Sequence, residues 1–149
     1  MMSKNETPMI RWYWNQIGGT LVEEFPAVCR TALCGQRLLD AIILPKRDTR
    51  IAQWREVSLE GEEVIVVQAK ASRLGMYLMG QTFFSAQLVQ CFRPASVRSV
   101  ALCTADDSVL RPLLEQYPGM EVVIFPRANA SELVLAEEAT TAAPLTHPA

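Results

Sequence analysis

The chain has 149 residues, half of them apolar and 20% charged. That length predicts one domain, and that composition excludes a disordered chain. The net charge is −2, with a body of +1 up to residue 127 and a tail of −3 beyond it. Grip on nucleic acid therefore has to come from a local patch. The densest run of cations is Arg37, Lys46, Arg47, Arg50 and Arg55; its plainer reading is a solvated loop. No apolar run approaches the ~18 residues of a membrane span, so no membrane association is expected. Residues 1–8 are polar and lack the apolar core of a secretory leader.

The elements follow in chain order. Residues 9–17 (MIRWYWNQI) predict a short helix, with Pro8 in its first turn and Gly18-Gly19 as its stop. Residues 1–8 read as a flexible lead-in. Residues 20–28 predict a strand marked by Pro26, and residues 37–45 a second strand interrupted by Asp40. Residues 46–54 read as a polar loop, followed by a short strand over 55–59. The strongest strand signal lies over residues 63–71, where Val64–Val67 is continuously apolar.

A helix is expected over 75–92, closed by Pro94, then a strand over 97–104. Asp106 or Asp107 can cap a helix over 108–117, ended by Pro118-Gly119. A last strand covers 120–125. Residues 128–149 read as a disordered or frayed tail after a domain spanning 9–127. The first three strands can pair antiparallel, and the later alternation with helices points to parallel crossovers. Together they predict an α/β protein with one mixed sheet flanked by helices.

Cysteine and histidine usage limits the chemistry. No Cys-x-x-Cys pair occurs, and Cys91 and Cys103 sit in apolar sequence, which reads as a reducing, cytoplasmic setting. The one histidine, His147, lies in the tail, so His-based nucleophile systems and zinc sites are excluded from the body.

Asp40 is a carboxylate in an otherwise apolar strand, so it requires a cation, hydrogen bonds or a metal. Gln68 and Lys70 share one face of their strand by period two. If the two strands are neighbours, Asp40, Gln68 and Lys70 converge. Carboxylate and amide oxygens suit Mg²⁺ or Mn²⁺, and a lysine beside them can orient water and stabilise phosphate charge. The plainer alternative is an Asp40–Lys70 ion pair tying two strands. On the following helix, Tyr77, Gln81, Ser85 and Leu88 form one stripe, which reads either as support for a site or as a solvated face. Met76, Met79, Phe83, Phe84 and Val89 read as core.

The order strand–Asp40–strand–Gln68-Ala69-Lys70–helix resembles the PD-(D/E)XK nuclease superfamily. Its Gln-x-Lys form is similar to the Mrr-type restriction-endonuclease branch. The resemblance covers residues 9–125, mainly through element order. It implies a restriction-endonuclease-like αβββαβ core, here with an added αβ unit, and Mg²⁺-dependent hydrolysis of DNA phosphodiesters. It further implies Asp40 and Gln68 as metal ligands, Lys70 as the catalytic lysine, and Gln81 and Tyr77 as support. Residue 39 is Leu where the family name has Pro. The family's first-helix acid has no counterpart in residues 9–17; Glu6 precedes that segment, and Glu23 or Glu24 on the next strand can take its place. Alternation slightly favours Glu24, with Val22, Glu24 and Pro26 on one face and Leu21, Glu23 and Phe25 on the other.

On that reading Arg37, Lys46, Arg47, Arg50, Arg55 and Arg73 would steer DNA. A homodimer or a partner protein would complete a domain with no recognition module of its own. The alternative is an inactive member of the same fold serving as an interaction module, with Trp12, Tyr13 and Trp14 as its interface.

Overall fold

The computed structural model describes residues 4–126. Helix α1 (Glu6–Ile17) leads into strands β1 (Thr20–Val28), β2 (Arg37–Leu44) and β3 (Arg50–Ala52). Strand β4 (Glu63–Arg73), helix α2 (Met76–Gln90), strand β5 (Ser96–Ala105), helix α3 (Leu110–Glu115) and strand β6 (Met120–Ile124) follow. The strands form one sheet in the order β3-β1-β2-β4-β5-β6. β1–β2 and β2–β4 pair antiparallel; β1–β3, β4–β5 and β5–β6 pair parallel. The mixed α/β architecture matches the expectation.

Helices cover both faces, which is why β4 reads as a continuous apolar run rather than an alternating one. On one face Met9, Ile10 and Tyr13 of α1 pack against Leu21, Ile43, Ile65, Val67 and Leu102. Fully burying side chains such as Met9 and Ile10 stabilises the fold by about 1.5–3 kcal/mol each. On the other face Val89 of α2 meets Ile42, Leu44, Val64 and Val66. Leu78 of α2 and Leu114 of α3 cover Ala101, Cys103 and Val122. Asp107 Oδ1 accepts the Val109 and Leu110 N–H groups at 3.0 and 2.8 Å, capping α3. Gly19, at φ +81°, makes the α1–β1 turn against β2, and a Cβ there would overlap the Leu44 carbonyl.

Several expectations are corrected. α1 begins at Glu6, so Glu6, Thr7 and Pro8 are helical rather than part of a flexible lead-in. Pro8 is tolerated because first-turn N–H groups have no intrahelical partner in any case. No strand forms over residues 55–59. The Glu56 carboxylate accepts the Gln53 N–H at 3.3 Å and closes a 3-10 turn at Trp54–Glu56. The edge strand is instead β3, inside the expected loop, held by parallel pairing of Arg50–Ala52 with Thr20–Val22.

Trp12 and Trp14 pack beside buried Tyr13 against the α1-face core, Trp12 edge-on to Phe125 at 5.2 Å, so this cluster is not a free interface. Cys91 is exposed, not apolar-packed. Met76 and Phe84 are exposed, not core. The expected tail over 128–149 lies outside the described residues. Among the described residues no helix is long and apolar enough to cross a membrane.

Candidate active site

β2 and β4 pair regularly through Ile43↔Ile65, Ile42↔Val66 and Ala41↔Val67, and there the pairing ends. One step further, Asp40 and Gln68 would be partners. Their side chains take over the work of the ladder. The Asp40 N–H donates to Gln68 Oε1 at 3.2 Å, and the Ala69 N–H donates to Asp40 Oδ2 at 2.9 Å. Gln68 Nε2 in turn donates to Ser85 Oγ of α2 at 2.7 Å. Buried backbone donors need acceptors, and these two residues supply them where the strands part. The polar residues that interrupt two apolar strands are thus brought together, as their positions predict.

Asp40 is partly buried, and burial pushes its carboxyl above the ordinary carboxylate range. The Ala69 N–H opposes that shift, while the Glu6 and Glu24 carboxylates add to it. Glu24 lies between the pairs Glu23↔Ala41 and Phe25↔Leu39, across from Asp40, at φ +51°. A left-handed glutamate costs on the order of 1–3 kcal/mol. There the strand switches faces: Phe25 and Leu39 join Val22 and Ile42 in the α2-side core. The expected grouping of Phe25 with Leu21 fails for that reason. Glu23 points to α1, where Arg11 donates to it at 2.6 and 3.3 Å. Glu23 is therefore tied to the helix, and Glu24 is the strand acid whose charge bears on Asp40.

Lys70 lies two residues beyond Gln68 and is exposed, with Nζ 5.7 Å from the centroid of the Tyr77 ring. That is a cation–π contact with the first turn of α2. Lys70 and Asp40 form no ion pair within 4 Å, so the plain inter-strand salt bridge is not what holds these strands. Gln81 is exposed, one helical turn before Ser85.

The arginines and lysine singled out for DNA do not form one patch. Arg37 and Arg73 are exposed near the Asp40–Lys70 end of the sheet; Arg37 donates to the Gln36 carbonyl and Arg73 to the Asp106 carbonyl. Lys46, Arg47 and Arg50 follow the far end of β2. Asp40 and the end of β2 at Leu44 are four positions apart, roughly 13 Å at strand spacing, and Lys46 follows in the turn beyond. Arg47 is paired with Glu62, and Arg50 with Asp48 and Glu56. Arg55 stacks on Trp54 at 4.6 Å.

Sequence reasoning placed Glu6 ahead of the first helix, whereas it is the first residue of α1. The signal for it was Pro8 inside a first turn, where an acid also complements the helix dipole. The oxygen chemistry around Asp40 fits a hard divalent ion held in an open fashion, by one or two carboxylates plus water or phosphate oxygens. A closed cage does not fit: among the described residues no three His, Cys, Asp or Glu side chains stand close enough to share an ion. Both ends of the Gln68 amide are already hydrogen-bonded, leaving the second lone pair of Oε1 for any further contact. Comparison with family models, with curated proteins and with solved structures finds no match for this chain.

Proposed function

We propose that this chain is a metal-dependent nuclease domain that hydrolyses DNA phosphodiesters, in the manner of the PD-(D/E)XK resemblance. The observation that carries the reading is the junction of β2 and β4. Asp40 and Gln68 bridge the parting strands, and Lys70, two residues beyond Gln68 on β4, holds its ammonium over Tyr77. The order α1-β1-β2-β4-α2-β5 supports the αβββαβ core, with β3 as an inserted edge strand and α3-β6 as an added unit.

Bound Mg²⁺ or Mn²⁺ would supply Lewis acidity and a polarised water. The chain's own part is then electrostatic. The Glu6 and Glu24 charges that act on Asp40 make its surroundings locally negative, which would favour a divalent cation. Gln68 holds Asp40 in place. Lys70 offers a positive charge to the phosphoryl oxygens as negative charge builds during attack. Arg37 and Arg73, at the same end of the sheet, would contact the DNA backbone.

A second reading has its own support. Both ends of the Gln68 amide are occupied, and no three-acid group is present among the described residues. On that reading the domain keeps the motif as a bridge and serves as an interaction module. Calorimetric titration with Mg²⁺ and Mn²⁺, with plasmid and single-stranded DNA cleavage on the same samples, separates the two. The nuclease reading expects metal binding that disappears in Asp40→Ala. It also expects cleavage that falls at least ~100-fold in Lys70→Ala while metal still binds. Folded wild type with neither metal binding nor cleavage refutes it and leaves the interaction module.

A further inference from the structure

The loop joining β1 to β2, residues 29–36, holds two of the chain's four cysteines. Cys29 and Cys34 are both exposed, and neither belongs to the site at Asp40. The hairpin draws the ends of the loop together, since Val28 and Arg37 are cross-strand partners. Inside the loop the chain doubles back, and the Thr31 N–H donates to the Cys34 carbonyl at 2.9 Å. The Thr31 hydroxyl oxygen accepts the Leu33 and Cys34 N–H groups at 3.1 and 3.2 Å. The Cys34 S–H donates to the Cys29 carbonyl at 3.6 Å. The Thr31 O–H is then left to donate to the Cys34 sulfur, 3.2 Å away. Cys34 is thus held through its N–H, its carbonyl and its thiol, with the sulfur turned toward Cys29. A carbonyl oxygen lies about 2.4 Å from its own Cα, so this sulfur is within about 6 Å of the Cys29 Cα.

We propose that Cys29 and Cys34 are a dithiol that a peroxide converts to a disulfide, a modification site at the tip of the β1–β2 hairpin. Rotation of two exposed side chains brings the sulfurs together, with no need to move a backbone that already doubles back. Both thiols are open to an oxidant arriving from solvent. The rival partner is Cys91, which borders the same cleft of about 480 Å³ as Cys29, from the end of α2. The bond from Cys34 to the Cys29 carbonyl favours the pair within the loop. The chemistry balances. Peroxide oxidises one thiol to a sulfenic acid and departs as water. The second sulfur attacks the sulfenic sulfur, the S–S bond forms, and the hydroxyl leaves with the second thiol's proton as another water. The two sulfurs together give two electrons to one peroxide. Exchange with a small thiol returns the dithiol. None of this depends on the chemistry assigned to Asp40 and Lys70.

The test is peptide mapping of the full chain after oxidation. Arg30 lies between the two cysteines, so trypsin puts Cys29, Cys34 and Cys91 in separate peptides, residues 12–30, 31–37 and 74–98. The reduced, desalted protein is treated with a small excess of hydrogen peroxide and digested without reductant. Peptides 12–30 and 31–37 are expected as one species, at their summed mass less two hydrogens. Dithiothreitol is expected to release both. Cys29→Ser is expected to lose the link and to leave Cys34 as a sulfenic acid that dimedone traps. If that variant fails to fold, the wild-type map decides alone. A link from 12–30 to 74–98, or a link between two chains, overturns the proposal. Cys29 and Cys34 that stay as thiols, or advance to unlinked sulfinic acids, overturn it too.

Discussion

Replacing Gln68 with alanine removes both arms of the bridge between β2 and α2. The Asp40 N–H loses its acceptor at 3.2 Å, and Ser85 Oγ loses its donor at 2.7 Å. Each lost bond is worth about 0.5–1.5 kcal/mol net, and a donor stranded away from water adds about 1–3 kcal/mol. Relaxation at the ladder end lets water reach part of the site, so the total is about 2–4 kcal/mol. For a chain of this size that corresponds to a melting shift of roughly 5–15 °C. Urea denaturation followed by circular dichroism measures it directly. Gln68→Glu keeps an oxygen for the Asp40 N–H, and the Ser85 hydroxyl can donate to it. Its cost comes instead from a second carboxylate beside Asp40, so it should shrink in acid, whereas that of Gln68→Ala should not. A cycle with Ser85→Ala should show coupling of about 0.5–3 kcal/mol. A Gln68→Ala protein within ~0.5 kcal/mol of wild type, typical of an ordinary surface change, would refute the bridge.

Asp40→Asn should stabilise the protein near neutral pH by about 0.5–2 kcal/mol, the usual gain when a strained functional group is relieved. The folded carboxyl lies above its ordinary range because of burial, so the folded state binds the proton more tightly than the unfolded chain. The contribution of this carboxyl is then most favourable below the ordinary carboxylate range and is lost as pH rises through the raised value, so the gain should fade in acid. Urea melts across that window test the sign; a loss at neutral pH would contradict it. Gly19→Ala should cost at least ~1–3 kcal/mol, since it combines a left-handed φ with overlap on the Leu44 carbonyl; a neutral thermal melt would count against that turn. Native thiol titration at mildly alkaline pH should find Cys29, Cys34 and Cys91 reactive. Cys103 should stay silent until the chain unfolds, because it is buried and its thiol is pushed up to about 11 by that burial.

Much of the fold was legible because its signals are local. Val64–Val67 is a run of mostly β-branched residues of strand length, Pro94 and Pro118-Gly119 stop helices, and Asp107 caps one. Asp40, Gln68 and Lys70 stood out for a related reason: a polar group in an apolar strand has to be satisfied, so its position alone marks it. The alternation of helix and strand from β4 onward followed from the same punctuation. Other features depend on partners distant in sequence. β3 exists because Arg50–Ala52 finds β1, not because of its own three residues. Period two holds only while the backbone stays extended, and Glu24 at φ +51° reverses it, carrying Phe25 and Leu39 to the other face.

By itself the sequence determined most of the elements and marked Asp40 and Gln68 as polar residues needing partners, since propensity, capping and polarity act over a few neighbours. Only the tertiary structure decided how those residues are used. Asp40 and Gln68 bond each other's strands because the β2–β4 pairing ends beside them, and Glu6 bears on the site because α1 starts a turn earlier. Met76 and Phe84 remain in solvent because α2 turns Leu78, Ala86 and Val89 inward and its opposite side outward.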